Sequence, residues 1–134
     1  MFGFLKKKDK KAKVEEVVEP TLTEEEKETI NNQIQDLTKQ IEAADPEEKE
    51  AMAKLYEQLG LAYAQLEDTD QAIKALETSL DYKLTIKDGY KKLMSLYNAK
   101  RAEAARNGDD AGIDYYMGKM DDMRQIAKKV TISG

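Results

Sequence analysis

The carboxylate pairs are the residues of this 134-residue chain that come closest to catalytic chemistry. Asp109 and Asp110 are adjacent, and so are Asp121 and Asp122. Two carboxylates can act as general acid and general base when both reach the same substrate. On a helix, however, adjacent side chains point about 100° apart and do not converge on one substrate. These pairs therefore predict no acid–base site.

The segment that starts at Asn107 matches a calcium-binding loop only in part. Asp109 and Gly112 are in register with a ligand position and with the glycine of such a loop. Ala111 stands at another ligand position, and Gly118 stands where a bidentate glutamate is required. Because these oxygen ligands are missing, we predict no metal site here.

The composition excludes several other kinds of active site. The chain contains no Cys and no His, so it has no thiol nucleophile, zinc–thiolate centre or disulfide, and no imidazole base or metal ligand. It also lacks a glycine-rich phosphate loop, a nucleophile elbow and a dinucleotide-binding fingerprint. We therefore predict that the protein is not an enzyme and needs no cofactor.

The net charge of −5 combines two regions of opposite sign. Residues 1–13 carry six lysines and one aspartate, whereas the rest of the chain carries 16 basic and 26 acidic side chains. An acidic body repels nucleic acid, and no aromatic side chain is interleaved on a basic face as a stacking platform. We therefore do not expect nucleic acid as a partner.

The N-terminal arm, defined as residues 1–22, has an apolar tip, a run of lysines and a linker to a helical domain at residues 23–130. We predict that the arm is flexible. Phenyl rings enter a membrane interface, and each lysine near an anionic surface contributes about 1 kcal/mol. The candidate membrane-contact residues are Phe2, Phe4, Leu5, Lys6, Lys7 and Lys8. The alternative is a disordered tail that only keeps the protein in solution.

The arm also bears on localisation. Its apolar run precedes the lysines and is shorter than the ~7–15 residues of a secretory signal, and no later stretch approaches the ~18 apolar residues of a membrane-spanning helix. Short starts rich in Phe and Lys are similar to leaders of cytoplasmic, membrane-associated bacterial proteins. We therefore expect a cytoplasmic bacterial protein whose arm could contact the inner face of the membrane.

The helical domain is predicted to be all-α, with about five helices and no strand. Thr23 and Glu26 form a capping box that opens the first helix, and Asp45 before Pro46 is expected to be the N-cap of the second. The second and third helices are expected to end near Glu67 and Lys83, the fourth to span residues 86–106, and the fifth to end near Lys129 with residues 131–134 frayed.

A pattern with a period of 34 residues occupies the centre of the chain. The first copy contains Tyr56, Leu59, Gly60 and Tyr63, and the second contains Tyr90, Leu93, Met94 and Tyr97. This period and pattern resemble the tetratricopeptide repeat, over about residues 52–129. The second copy departs from the family, because Met94 replaces the glycine and the turn at residues 107–110 comes about six residues late. An ordinary helical bundle is the alternative.

The resemblance implies antiparallel helix pairs, here two repeats preceded by one N-terminal helix. The small residues of the first copy stand where two helices approach closely, and the large ones fill the space between them. The repeat core is then expected to contain Tyr56, Leu59, Gly60, Tyr63, Ala72, Leu76, Tyr90, Leu93 and Tyr97.

The resemblance also implies a peptide-binding groove lined by the first helix of each repeat. The candidate groove residues are Glu57, Leu61, Ala64, Gln65, Lys87, Lys91, Ser95 and Asn98. Seven basic and two acidic residues lie between Lys83 and Arg106, so this part of the acidic body is locally positive. A solvated helix surface is the alternative reading of this charge run.

These features predict a small adaptor that binds an unidentified protein or peptide and that its arm could hold at an anionic membrane surface. The alternative is a structural protein that forms a homodimer through its first or last helix. The last helix has a wide apolar face that includes Met117, Met120 and Met123. Methionines at this spacing either fill a core or form an adaptable contact surface.

Overall fold

The structure, a computed structural model, describes residues 21–133 and contains five α-helices and no strand in that range. The all-α prediction is therefore confirmed. The helices are α1 (Glu24–Ala43), α2 (Lys49–Gln65), α3 (Thr69–Tyr82), α4 (Asp88–Arg106) and α5 (Asp110–Ser133). No helix within residues 21–133 is both long and apolar enough to cross a lipid bilayer.

The first helix begins as the sequence predicts. The hydroxyl of Thr23 accepts a hydrogen bond from the amide of Glu26 at 3.0 Å, and the Glu26 carboxylate accepts one from the amide of Thr23 at 2.9 Å. The predicted capping box is confirmed. Because it satisfies two amides that have no partner within the helix, it defines the helix start locally.

The starting point of α2 and the end of α5 differ from the prediction. Asp45 is not the N-cap of α2, because its carboxylate accepts a hydrogen bond from the amide of Glu47 at 2.9 Å and so closes a turn before the helix. The N-cap is Glu48, which makes no capping hydrogen bond through its side chain. At the other end of the chain, α5 continues to Ser133. No Gly or Pro between Lys129 and Ser133 interrupts it.

Two antiparallel helix pairs form the body of the fold. In the first pair, the hydroxyl of Ser79 near the end of α3 donates to the carbonyl oxygen of Ala53 near the start of α2, at 2.7 Å. In the second pair, the hydroxyl of Tyr90 near the start of α4 donates to the carbonyl oxygen of Met123 in α5, at 2.9 Å. In each pair, the hydrogen bond joins a residue near the start of one helix to a residue in the later part of the next, so the two helices run antiparallel. This arrangement agrees with the helix pairing expected of two repeats.

Two apolar clusters hold the helices together, and α3 belongs to both. The first cluster contains Ile30, Ile34 and Leu37 of α1, Leu59 and Ala62 of α2, and Ala75 of α3. The second contains Leu76 and Leu80 of α3, Leu93 and Tyr97 of α4, and Met123 of α5. Burial of this apolar surface is the main favourable contribution to folding. Because α3 presents one side to each cluster, it connects the N-terminal and C-terminal parts.

The residues expected in the repeat core lie at the helix interfaces. The buried ones are Leu59, Gly60, Ala72, Leu76, Leu93 and Tyr97, and the half-buried ones are Tyr56, Tyr63 and Tyr90. Leu22, which the sequence assigns to the arm, packs against the first cluster. The packed part of the chain therefore starts slightly before the capping box.

Candidate protein-binding groove

A groove of about 530 Å³ lies between α2 and α4, the helices that carry the two copies of the 34-residue pattern. We call it the α2–α4 groove, and it is lined by Leu61, Ala64, Gln65, Asp88, Lys91, Lys92 and Ser95. Five of these are among the eight groove residues predicted from the sequence. Leu61 and Ser95 are 34 residues apart, so equivalent positions of the 34-residue pattern face the same space.

Three predicted groove residues do not line it. The carboxylate of Glu57 accepts a hydrogen bond from the amide of Gly89 at 2.7 Å, so it holds the first turn of α4. The side-chain oxygen of Asn98 accepts a hydrogen bond from Nε of Arg101 at 3.0 Å. Lys87 is the exposed N-cap residue of α4.

Two groove residues were not among the predicted ones. Lys92 lies three positions before Ser95, and Asp88 lies four positions before Lys92. Residues three and four apart share one face of a helix, so this spacing placed both side chains on the face of Ser95. This spacing is visible in the sequence, but the resemblance implied only the positions of α4 that are equivalent to those of α2.

Ion pairs neutralise part of the basic segment between Lys83 and Arg106. Lys83 lies 3.3 Å from a carboxylate oxygen of Glu50, and Lys100 lies 3.2 Å from one of Asp70. The hydrogen bond to Asp70 raises the pKa of the Lys100 ammonium. By contrast, Lys91 and Lys92 form no ion pair with any carboxylate of residues 21–133. Part of the positive charge that this segment leaves without an ion pair in the described residues therefore lies in the α2–α4 groove.

A second groove adjoins the first across α2. It has a volume of about 340 Å³ and is lined by Gln33, Asp36, Leu37 and Gln40 of α1 and by Gln58, Leu61, Ala62 and Gln65 of α2. Because Leu61 and Gln65 line both grooves, one recessed surface runs from α1 over α2 to α4. The α1 side of this surface was not predicted, although Gln33 and Gln40 are seven residues apart and so share one face of α1.

The α2–α4 groove combines aliphatic, cationic and hydrogen-bonding side chains. Leu61 and Ala64 provide an aliphatic floor, and the two lysines provide cations beside it. Gln65 and Ser95 add hydrogen-bonding groups. Within residues 21–133, no cluster of three or more carboxylates could hold a metal ion. The candidate membrane-contact residues of the arm, Phe2, Phe4, Leu5, Lys6, Lys7 and Lys8, lie outside the described residues.

Comparisons with protein-family models, with curated proteins and with solved structures found no match to this chain. The likeness to the tetratricopeptide repeat therefore rests on the 34-residue pattern and on its agreement with the observed helix pairs. Of the residues in that pattern, Gly60 is buried at the contact of α2 with α3. The tetratricopeptide-like character of this chain is therefore a proposal.

Proposed function

We propose that this chain is a tetratricopeptide-like protein-interaction module, and that the α2–α4 groove binds a peptide segment of a partner protein. The observation that carries the proposal is the convergence of Leu61 and Ala64 of one repeat with Lys91 and Ser95 of the next on one open groove. An aliphatic floor next to cations that form no ion pair within residues 21–133 can bind an extended or helical segment without chemical change. The module acts as an adaptor and not as an enzyme.

The arm completes the proposal. Its lysines and phenylalanines would hold the adaptor at an anionic surface on the inner face of a bacterial membrane. The groove would then present its partner at that surface. The composition of residues 1–13, with six lysines and two phenylalanines, supports this part of the proposal.

The groove is tested by reversing its charge. The variant Lys91→Glu/Lys92→Glu, with the arm intact, is used for affinity capture from lysate of the native cell and compared with the wild type by quantitative mass spectrometry. We expect it to lose the partner, because both groove cations are replaced. It should keep its thermal midpoint, since acidic side chains near the start of α4 are compatible with the helix dipole.

The matched control is Lys128→Glu/Lys129→Glu, an adjacent pair of exposed lysines on α5. It makes the same change in net charge far from the groove along the chain. Capture of the same proteins by the wild type and by the groove variant would contradict the groove proposal.

Self-association is the second candidate function. Tyr115 and Met117 of α5 are 58% and 53% exposed, whereas Met123 of the same helix is 3% exposed. Met123 thus fills the core, while Met117 is open for contact with a second copy of the chain. Sedimentation velocity over a wide range of concentrations separates the two functions. A monomer at every concentration would exclude the dimer.

A further inference from the structure

The α2–α4 groove specifies the chemistry of its ligand. Its floor, Leu61 and Ala64, is aliphatic. Its cations, Lys91 and Lys92, have no ion-pair partner in the described part of the chain and favour carboxylates. Among the residues that the structure describes, Asp88 is the one acidic residue that lines it. A complementary segment therefore alternates or mixes aliphatic and acidic side chains and contains no basic residue.

Such a segment is present in this chain at residues 14–19. It consists of Val14, Glu15, Glu16, Val17, Val18 and Glu19. Three glutamates and three valines thus occur together without a lysine or an arginine, directly after the basic residues of the arm. The segment has the charge and the aliphatic content that the groove requires.

The position of Leu22 places this segment within reach of the groove. Leu22 packs against the cluster that contains Leu59 and Ala62 of α2, and the groove is lined by Leu61 and Ala64 of the same helix. An extended chain covers up to about 3.3 Å per residue, so the eight residues 14–21 span up to about 26 Å. Neighbouring helix axes are about 8–10 Å apart. The segment is therefore long enough to pass around α2 and lie along the groove.

We infer that residues 14–19 occupy the α2–α4 groove of the same molecule, with their glutamates beside Lys91 and Lys92 and their valines on Leu61 and Ala64. The inference rests on the proposed function, because it names the ligand chemistry of the same groove. A short tether gives an effective concentration of the order of millimolar. A partner must therefore displace the segment, and the groove selects partners that carry acidic and aliphatic side chains.

The absence of cysteine from the chain allows a direct test in the full-length protein. A nitroxide spin label on the single cysteine of the Ala12→Cys variant lies next to the segment without altering it. The measurement is the intensity of each backbone amide signal with the label oxidised and then reduced. We expect the largest loss of intensity at groove residues such as Leu61, Ala64 and Ser95.

The same label is then placed in two backgrounds. In Lys91→Glu/Lys92→Glu, we expect the groove amides to recover severalfold in intensity, because the cations that attract the segment are gone. In Lys128→Glu/Lys129→Glu, we expect the loss of intensity to remain. Absence of the effect in the groove, or its persistence in the groove variant, would overturn the inference.

A mixture of isotope-labelled chain without the spin label and spin-labelled chain without the isotope tests whether the contact is intramolecular. We expect no loss of intensity in the mixture, and a loss equal to that in the doubly labelled chain would overturn the inference.

Lysate capture is independent of this measurement. If the spin label causes no loss of intensity at the groove amides but capture of a partner still requires Lys91 and Lys92, the inference is overturned and the proposed function is retained. If the label does reduce the intensity of the groove amides, but the wild type and the groove variant capture the same proteins, the inference is supported and the proposed function is contradicted.

Discussion

Gly60 permits a close contact between α2 and α3. A Cβ atom at this position would lie 2.5 Å from Cγ of Leu76 and 3.2 Å from the carbonyl oxygen of Ala72, and Leu76 is 1% exposed. Because Leu76 cannot move into solvent, we expect Gly60→Ala to lower the free energy of unfolding by about 1–3 kcal/mol, measured by urea unfolding. Gly118→Ala is the control, since an added Cβ there would meet no atom within 4 Å other than its chain neighbours and the backbone of its own helix. It should raise the free energy by up to about 1 kcal/mol, and destabilisation of similar size in both variants would contradict the close contact.

Tyr97 carries the most perturbed titration of the described residues. It is 2% exposed, and its hydroxyl donates a hydrogen bond to the carboxylate of Glu77. Burial, and then the hydrogen bond to Glu77, raise the pKa of the Tyr97 phenol far above its ordinary value of 10.0. Lys119 lies 3.5 Å from the same carboxylate. This cluster therefore keeps the phenol neutral where α3, α4 and α5 meet.

The raised pKa of Tyr97 predicts a loss of stability in alkali. Above about pH 10 the unfolded chain releases the phenol proton while the folded chain keeps it, so the free energy of unfolding falls as pH rises. We expect Tyr97→Phe to be less stable near neutral pH by about 1 kcal/mol, because a buried hydrogen bond is lost. Above pH ~10 its stability should decline less steeply than that of the wild type.

The measurement for Tyr97 is urea unfolding at several pH values from neutral to alkaline. Tyr115→Phe, at a tyrosine that is 58% exposed, controls for the removal of one hydroxyl. An equally steep alkaline decline in the wild type and in Tyr97→Phe would show that the phenol of Tyr97 does not govern this dependence.

At the scale of elements, the start of α4 depends on another helix. Lys87 occupies the N-cap and makes no capping hydrogen bond through its side chain. Glu57 of α2 provides the missing acceptor to the amide of Gly89, and its negative charge also favours a helix N-terminus. The register between α2 and α4, and so the shape of the α2–α4 groove, is maintained in part by this contact.

We expect Glu57→Ala to lower the free energy of unfolding by about 1–2 kcal/mol, because the first turn of α4 loses its acceptor. Glu57→Gln keeps an acceptor without the charge and should cost less, about 0.3–1 kcal/mol. Addition of Lys87→Asp to Glu57→Ala should restore part of the loss by providing a local cap. Thermal and urea unfolding measure these effects, with Gln58→Ala as the control for truncation on α2. Unchanged stability of Glu57→Ala would contradict the anchoring role.

At the scale of the whole molecule, charge is separated along the chain. The basic residues 1–13 precede a body in which acidic side chains exceed basic ones. Within that body, Glu50 and Asp70 neutralise Lys83 and Lys100. The groove cations Lys91 and Lys92, which form no ion pair within residues 21–133, are thus separate in sequence from those of the arm. The proposed function assigns a peptide to the groove cations and a membrane surface to the arm.

The arm predicts binding to anionic vesicles. Replacement of Lys6, Lys7 and Lys8 by alanine should lower partition onto vesicles that contain phosphatidylglycerol by about a hundredfold, because each lysine contributes about 1 kcal/mol. Co-sedimentation with the vesicles measures the partition, and helicity should not change. The control replaces Lys39, Lys54 and Lys74, three exposed lysines of the body. An equal loss in both triple variants would contradict a specific role of the arm.

Much of the fold could be predicted from the sequence because helix formation follows local rules. Helical periodicity indicated five helices, and the capping box at Thr23 placed the first helix start correctly. The resemblance to the tetratricopeptide repeat implied that Leu61 and Ser95 line a groove, and the structure brings both to one groove. In each case the information lies within a few residues or repeats at a fixed interval, so no knowledge of distant contacts is needed.

The contacts that individual polar side chains make depend on the tertiary structure and could not be predicted from the sequence. Glu57 and Lys91 are 34 residues apart and share a repeat position, yet one anchors α4 while the other lines the groove. Lys100 has a near neighbour in Glu103, but its closer partner is Asp70, from a different helix. Such choices depend on distances between residues far apart in the chain, which are set when the helices pack. Local sequence therefore determined which segments form helices, whereas packing determined how α4 begins and which polar groups of the helices remain free to bind.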